Sequence, residues 1–190
     1  KSPAVFGVLV HHPEDLLGEH SNDLIHGLNE LKELGLTRKV GVSVYSPVEL
    51  ERLGQDLFSL DIVQSPFNVF DQRMETSGWL SKLKEKGVEV HIRSIFLQGI
   101  LLASETQSHK YFSTWSDHFD LWHEWLKQND QSALEACINF VIKRRQIDKI
   151  VIGVQGKKNF NEIVRIFDGM EKQISPPANI AINDELLIMT

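Results

Sequence analysis

The chain reads as an α/β protein, and two observations predict that class. Short, almost continuously apolar runs alternate with longer stretches that carry apolar residues at helical spacing, the pattern of parallel strands joined by helical crossovers. Each apolar run also finishes in polar groups: His11, Ser43, Gln64, the pair Arg93-Ser94, and Gln155 just past the fifth. Residues 4–10 (AVFGVLV) form the first run, expected to be a strand buried on both faces. Between residues 22 and 34, Leu24, Leu28, Leu31 and Leu34 recur at helical spacing, and Gly35 stands where a C-cap belongs. Residues 39–45 (KVGVSVY) form the second strand. Ser46-Pro47-Val48-Glu49 then reads as a capping box with proline at the first helical position, opening a short helix to about Leu53. Residues 60–64 form a third strand, residues 79–86 a helix closing on Gly87, and residues 88–93 a fourth strand.

Residues 97–146 are expected to hold no strand. Their first part is polar, and two helices follow. One covers 117–128 with Phe119, Trp122 and Trp125, read as core rather than as a cofactor box. The other covers 131–145 with Leu134, Ile138, Val141 and Ile142, and with Lys143, Arg144 and Arg145 at the end its dipole favours. A fifth strand is expected over 149–154 and a helix over 159–167. The tail, with Pro176-Pro177, ends in a short helix over 183–187. No linker interrupts the sequence, so residues 1–190 read as one domain.

Two architectures fit these repeated units, an open doubly wound sheet and a (β/α)8 barrel. No GxGxxG opens the first helix, which disfavours a dinucleotide-binding Rossmann half. Polar residues at the strand ends favour the barrel, whose enzymes keep their chemistry there. Five strands are read where a closed barrel needs eight, so an incomplete barrel is the expectation.

The 190 residues are 42 % hydrophobic and 24 % charged, proportions that rule out a disordered or collagen-like chain. Twenty basic against twenty-six acidic residues give a formal charge of −6, which disfavours a nucleic-acid partner. Cys137 is the single cysteine, so neither a disulfide framework nor a multi-thiolate zinc site is expected; between apolar helix neighbours it reads as an inert thiol. His118 and His123 are five apart, not four, and His109 has no spaced acidic partners, so no metal site is expected. No apolar run approaches the roughly 18–20 residues of a membrane span, and no signal-peptide pattern opens the chain. A reducing, cytoplasmic setting is the expectation. The chain opens on Lys1 and enters an apolar run at Ala4, which reads as the cut end of a larger protein.

Five short motifs, in order along nearly the whole chain, resemble those of the aldo-keto reductases. Leu9-Val10-His11-His12-Pro13 is similar to the family's L-x-H-x-P. Lys39-Val40-Gly41-Val42-Ser43 is similar to its (K/R)xxGVS strand, and Asp61-Ile62-Val63-Gln64 to its strand ending in VNQ or LQ. Val90-His91-Ile92-Arg93-Ser94 with Gly99-Ile100-Leu101 matches the strand V-x-x-x-S and its trailing G-x-L. Lys149-Ile150-Val151-Ile152-Gly153 is similar to the V-I-P-G strand before the cofactor-phosphate loop.

The resemblance implies a (β/α)8 barrel of which this chain covers about strands 4–8. It implies NAD(P)H-dependent reduction of an aldehyde or ketone, with NADP the expected cofactor and NAD left open. A family enzyme uses an Asp–Tyr–Lys–His tetrad with tyrosine as proton donor. Only His11, which would orient the substrate carbonyl, carries over as catalytic; Tyr45 and Tyr111 both lie outside the tyrosine's position. Taken alone, a histidine ending a strand is more often structural. His12, next along, points to the other side of the strand.

For the cofactor, the resemblance implies Ser43 and Gln64 at the nicotinamide carboxamide, although Val44 stands where the family usually has asparagine. Without the family, both read equally as satisfying loop backbone groups. Arg93 stands where many members have an aromatic residue stacked on the nicotinamide ring; a guanidinium can stack or pair with phosphate. Ser94 matches a serine near the pyrophosphate, and Phe96, Leu97, Gln98 and Gly99 match a loop along the cofactor, or else a plain rim loop. Gly153-Val154-Gln155-Gly156-Lys157-Lys158-Asn159 precedes a helix and carries two lysines. On its own it is a solvated basic loop; by resemblance it is the adenosine-phosphate site, because helix N-termini bind anions. Glu162 matches a glutamate contacting adenine. The family's NADP-selective arginine falls near Asn159, and its usual asparagine is Ile163, so Lys157 or Lys158 would meet a 2′-phosphate.

Two other functions stay in view: a non-catalytic remnant or cofactor-binding scaffold of the same fold, and a (β/α) enzyme of unrelated chemistry with His11 as general acid–base. Exposed sheet edges of an incomplete barrel would also drive self-association.

Overall fold

Five strands form one sheet among the described residues, and each pairs in parallel with the next in sequence. They are β1 (Val5–Val10), β2 (Thr37–Ser43), β3 (Ile62–Pro66), β4 (Glu89–Arg93) and β5 (Lys149–Ile150). The computed structural model describes residues 4–54, 59–106, 112–169 and 176–188. The order β1-β2-β3-β4-β5 never reverses. It therefore lacks the switch point of a doubly wound sheet and follows the winding of a (β/α)8 barrel, five strands of it.

Contacts gather the chain into two compact units. The first comprises Lys1–Pro66, Arg73–Arg93 and Gln146–Ile150. It holds the sheet, a 3-10 turn over Pro13–Leu16, and the helices α1 (Ser21–Glu33), α2 (Pro47–Leu53), α3 (Arg73–Thr76) and α4 (Trp79–Glu85). The predicted ends of α1 and α4 are present. In each, a glycine with positive φ (Gly35, +68°; Gly87, +75°) lets the following amide bond back to the carbonyl five residues earlier: Leu36 N–H to Leu31 O and Val88 N–H to Leu83 O, both 3.0 Å. The α2 capping box is present as well, with the Glu49 carboxylate accepting from the Tyr45 and Ser46 amides at 2.6 and 3.3 Å.

One device recurs at the N-terminal end of the sheet. Asp61, just before β3, accepts the Val40 amide of β2 at 2.8 Å and the Lys32 ammonium of α1 at 2.7 Å. Asp148, just before β5, accepts the Val90 amide of β4 at 2.9 Å and the Lys84 ammonium of α4 at 2.5 Å. Each carboxylate ties a helix to a strand with charge-assisted bonds. Gly41 is required by close approach: a Cβ there would lie 2.2 Å from Ile62 O and 2.7 Å from Leu9 Cδ2.

Four strands differ from expectation. β2 runs over Thr37–Ser43 rather than 39–45 and β3 over Ile62–Pro66 rather than 60–64, so Gln64 stands inside β3 and not at its end. β1 is not buried on both faces; Val5 and Phe6 are 52 % and 41 % exposed and Val10 alone is buried. Its continuous apolar run suits a strand with neighbours on both sides, and among the described residues it pairs only with β2. The fifth strand is Lys149–Ile150 rather than six residues, because its ladder to β4 consists of His91 with Lys149 and Ile92 with Ile150. Val151 and Val154, expected inside that strand, are largely exposed.

The second unit comprises Phe67–Gln72, Ser94–Arg145 and Val151–Thr190. It holds α5 (Ser116–Gln128), α6 (Ala133–Ile142), α7 (Lys157–Asp168) and α8 (Glu185–Ile188), with 3-10 turns over Leu97–Leu102, Ser113–Trp115 and Ala178–Ile180. Phe119 and Trp122 are fully buried, as expected of core, and Trp122 Nε1 donates to Leu101 O at 3.1 Å. α6 stops at Ile142 rather than 145, and the Arg144 guanidinium folds back over the Phe140 ring at 3.8 Å. Burial pushes the Cys137 thiol far above its ordinary range, which keeps it protonated and inert. Among the described residues no group of side chains could hold a metal ion, and no helix is long and apolar enough to cross a membrane. His109 and Tyr111 lie outside the described residues.

Candidate functional site

His11 just past β1, Ser43 and Arg93 at the ends of β2 and β4, and Gln64 in the middle of β3 bring four of the expected residues to one side of the first unit. Ser43 pairs with Gln64, and Gln64 with His91, so the three stand side by side on one face; Arg93 is two residues beyond His91 on that face. His11 directly follows β1 and is exposed. Ser43 is 3 % exposed, and its Oγ is buried with no hydrogen-bond partner among the described residues; Ser65, next to Gln64 on the other face, shares that state. Gln64 is half-buried.

Tyr45 joins this rim, which the sequence reading missed. Its ring meets the His11 imidazole edge-on at 6.4 Å between centroids, and the Arg93 guanidinium lies over it at 4.4 Å. Arg93 also donates to Val44 O at 3.3 Å. The Tyr45 backbone is fixed at both ends, its N–H donating to Glu49 Oε2 at 2.6 Å and its carbonyl accepting from Arg73 at 3.0 Å. One signal was available: Tyr45 stands two residues after Ser43, so alternation carries it to the side of the sheet where Ser43 stands. Val44, between them, is fully buried, and its amide donates to Gln64 O at 2.8 Å.

Deeper on the same face lies a charged network. Glu89 accepts from Lys39 at 2.5 Å and pairs with His91 Nε2 at 3.0 Å. Burial pushes the Glu89 carboxyl up. The hydrogen bonds of Lys39 and His91, with the charges of Lys39 and Lys149, outweigh that and hold it below its usual range. Phe6 stacks on the buried His91 at 6.1 Å, with the Lys149 ammonium 4.8 Å from its centroid.

The remaining candidates belong to the second unit. Ser94 and Phe96 are half-buried and Gln98 is exposed. Their segment carries three left-handed residues that are not glycine, Ser94 (φ 59°), Leu97 (46°) and Gln98 (53°), beside Gly99. Such strain persists only where the surroundings hold it. Asn68, 1 % exposed, supplies the hold: its Nδ2 donates to Ser94 O at 3.1 Å, while its Oδ1 accepts the Phe70 and Asp71 amides, each at 2.9 Å. Gly153, Val154, Gln155, Lys157, Asn159 and Glu162 are all exposed. α7 opens at Lys157, two residues before its expected start, so both lysines stand in its first turn, where free N–H groups and the dipole favour anions.

Within each unit taken by itself, the residues fit one part of a nicotinamide cofactor. The unpartnered Ser43 hydroxyl and the adjacent Gln64 amide can both give and accept the hydrogen bonds a carboxamide needs. The basic helix start fits phosphate.

A sequence model of the Aldo/keto reductase family matches residues 8–179. No curated protein matches the chain. Among solved structures, the aldo-keto reductase AKR11C1 from Bacillus halodurans is similar in its apo form with a TM-score of 0.70 at 16 % identity, over 91 % of this chain and 64 % of that one. Its holo form gives 0.67 at 15 %, over 91 % and 63 %. MGS-M4, an aldo-keto reductase enzyme from a Medee basin deep-sea metagenome library, gives 0.59 at 15 %, over 96 % and 62 %. The chain thus spans under two thirds of the length of these structures, and at such identities the likeness speaks for the fold.

Proposed function

The chain belongs to the aldo-keto reductase family, and from that premise we propose that it supplies the histidine and the cofactor-holding residues of an NAD(P)H-dependent reductase of an aldehyde or ketone. The observation that carries the reading is the buried, unpartnered Ser43 Oγ beside Gln64, on the rim where His11 stands. A buried hydroxyl without a partner is costly unless a ligand completes it.

In this reading Ser43 and Gln64 hold the carboxamide and so fix which face of the nicotinamide meets the substrate. The cofactor, when bound, supplies hydride to a carbonyl carbon. His11 donates an imidazole N–H to the carbonyl oxygen, where negative charge develops. Arg93 covers the nicotinamide side of the site, and Ser94, Phe96 and Gln98 run along the cofactor. Gly153, Val154, Gln155, Lys157 and Asn159 hold its phosphates, with Glu162 at the adenine. The two first-turn lysines support NADP over NAD, since a 2′-phosphate adds charge for them to meet. The family's tyrosine proton donor belongs to strands before the one carrying His11, so the reductase proposal concerns the complete barrel, in a reducing, cytoplasmic setting.

A second reading, a cofactor-binding module without turnover, is favoured by Val44 and Arg93 standing where the family usually has asparagine and an aromatic residue. Titrating NADPH into the full-length gene product, followed by cofactor fluorescence, tests both. Binding with carbonyl-dependent oxidation of NADPH supports the reductase, and binding without it supports the module. Absence of binding refutes both.

A further inference from the structure

The pairing of Arg93 with Tyr45 gives this rim a property that an aromatic residue at position 93 would not have. A stacked aromatic ring is neutral, whereas a guanidinium stays charged at every working pH. Here that charge is positioned. The guanidinium carbon lies 4.4 Å from the Tyr45 ring centroid and the group is tethered to Val44 O, while the Tyr45 backbone is itself pinned through Glu49 and Arg73. Cation–π contact with a fixed ring holds a charge in one place far better than a free arginine side chain would.

We infer that Arg93, carried on Tyr45, biases the site against the oxidised form of the nicotinamide cofactor. The inference rests on the cofactor reading above and adds to it a preference between two redox states. An oxidised nicotinamide ring bears a positive charge; the reduced ring is neutral. A fixed guanidinium beside the ring repels the first and not the second, so it weakens binding of NADP+ while leaving NADPH unaffected. Both forms share the same phosphates and adenine, so the lysines of α7 affect them equally, and the ratio of the two dissociation constants isolates the ring. A site so biased releases its spent cofactor readily and is suited to reduction rather than oxidation. Tyr45 is the positioning residue in this arrangement: it acts through Arg93.

The test measures Kd for NADP+ and for NADPH in the full-length gene product and in Arg93→Met, Tyr45→Leu and Tyr45→Phe. Unit charges about 4 Å apart near a protein surface interact strongly enough that, after solvent screening, about a tenfold change in the ratio Kd(NADP+)/Kd(NADPH) is expected. Arg93→Met lowers the ratio by that factor. Tyr45→Leu lowers it too, by freeing the guanidinium, whereas Tyr45→Phe keeps the ring and stays near the wild-type ratio. An unchanged ratio in Arg93→Met overturns the inference, and so does a Tyr45→Phe variant that behaves like Tyr45→Leu. Should the variants fail to fold, the wild type alone decides: raising ionic strength from about 0.01 M to about 1 M shortens the Debye length roughly tenfold and must lower the ratio severalfold. A flat ratio overturns the inference while leaving the cofactor reading intact. A wild type that binds neither form refutes the cofactor reading itself and the inference with it.

Discussion

Replacing Asn68 with alanine removes one side chain that holds two pieces of chain in place. Its Oδ1 is the acceptor for the Phe70 and Asp71 amides at 2.9 Å each, and both residues are at most 2 % exposed. Its Nδ2 is a donor to Ser94 O, which also accepts the Leu97 amide at 2.9 Å and so keeps one partner in the variant. An unmet buried backbone donor costs about 1–3 kcal/mol. Two such donors, relieved in part by water entering the vacated space, give an expected loss of about 3 kcal/mol. That is roughly a hundredfold in the folding equilibrium and a large share of a typical domain's stability. Urea unfolding of the full-length gene product, followed by tryptophan fluorescence, measures it as a lower midpoint at unchanged slope. The segment from Ser94 to Gly99 loses an anchor at the same time, so cofactor affinity falls as well. A cost below about 1 kcal/mol, within the range of an ordinary satisfied hydrogen bond, would refute the claim that these amides depend on Asn68.

Three more outcomes are expected. Ser43→Ala should weaken NADPH binding by about five- to tenfold, the worth of one hydrogen bond, without lowering the melting temperature, because Ser43 Oγ has no hydrogen-bond partner among the described residues; a large fall in melting temperature with unchanged affinity would contradict its assignment. Glu89 has a carboxyl held below its usual range, so it adds stability above the unfolded-state carboxyl pKa, and that contribution disappears as pH falls through the depressed folded value. Acid melts of Glu89→Gln should therefore lack part of the wild type's loss on the acid side, and identical acid limbs would remove Glu89 as a cause. The isolated 190-residue chain leaves β1 and β5 with one neighbour each among the described residues, so sedimentation should find it self-associated; a monomer with a single cooperative melt would contradict this.

Much of this architecture was legible in the amino-acid order. Parallel α/β class follows from apolar runs alternating with amphipathic stretches, because a strand covered by helices must be apolar almost throughout. The ends of α1, α2 and α4 follow from Gly35, Ser46-Pro47 and Gly87, since a left-handed C-cap and a fixed-φ N-terminus are local requirements. Ser43, Gln64, His11 and Arg93 were likewise readable as rim residues, each being the polar stop of an apolar run.

Tertiary structure decided the rest. The exposure of β1 and the shortening of β5 depend on which strands lie beside them, and an apolar run does not record its neighbours. Nothing local marks Asn68, because the Ser94 carbonyl that its amide meets lies twenty-six positions later. Tyr45 lies outside the motif positions, and only the fold brings its ring to both His11 and Arg93. Periodicity and capping are settled within a turn or two of chain, so the order of elements and most of their polar stops were readable from local sequence. Partners of a buried hydrogen bond or a stacked charge come from distant positions, and only the packed chain brings them together.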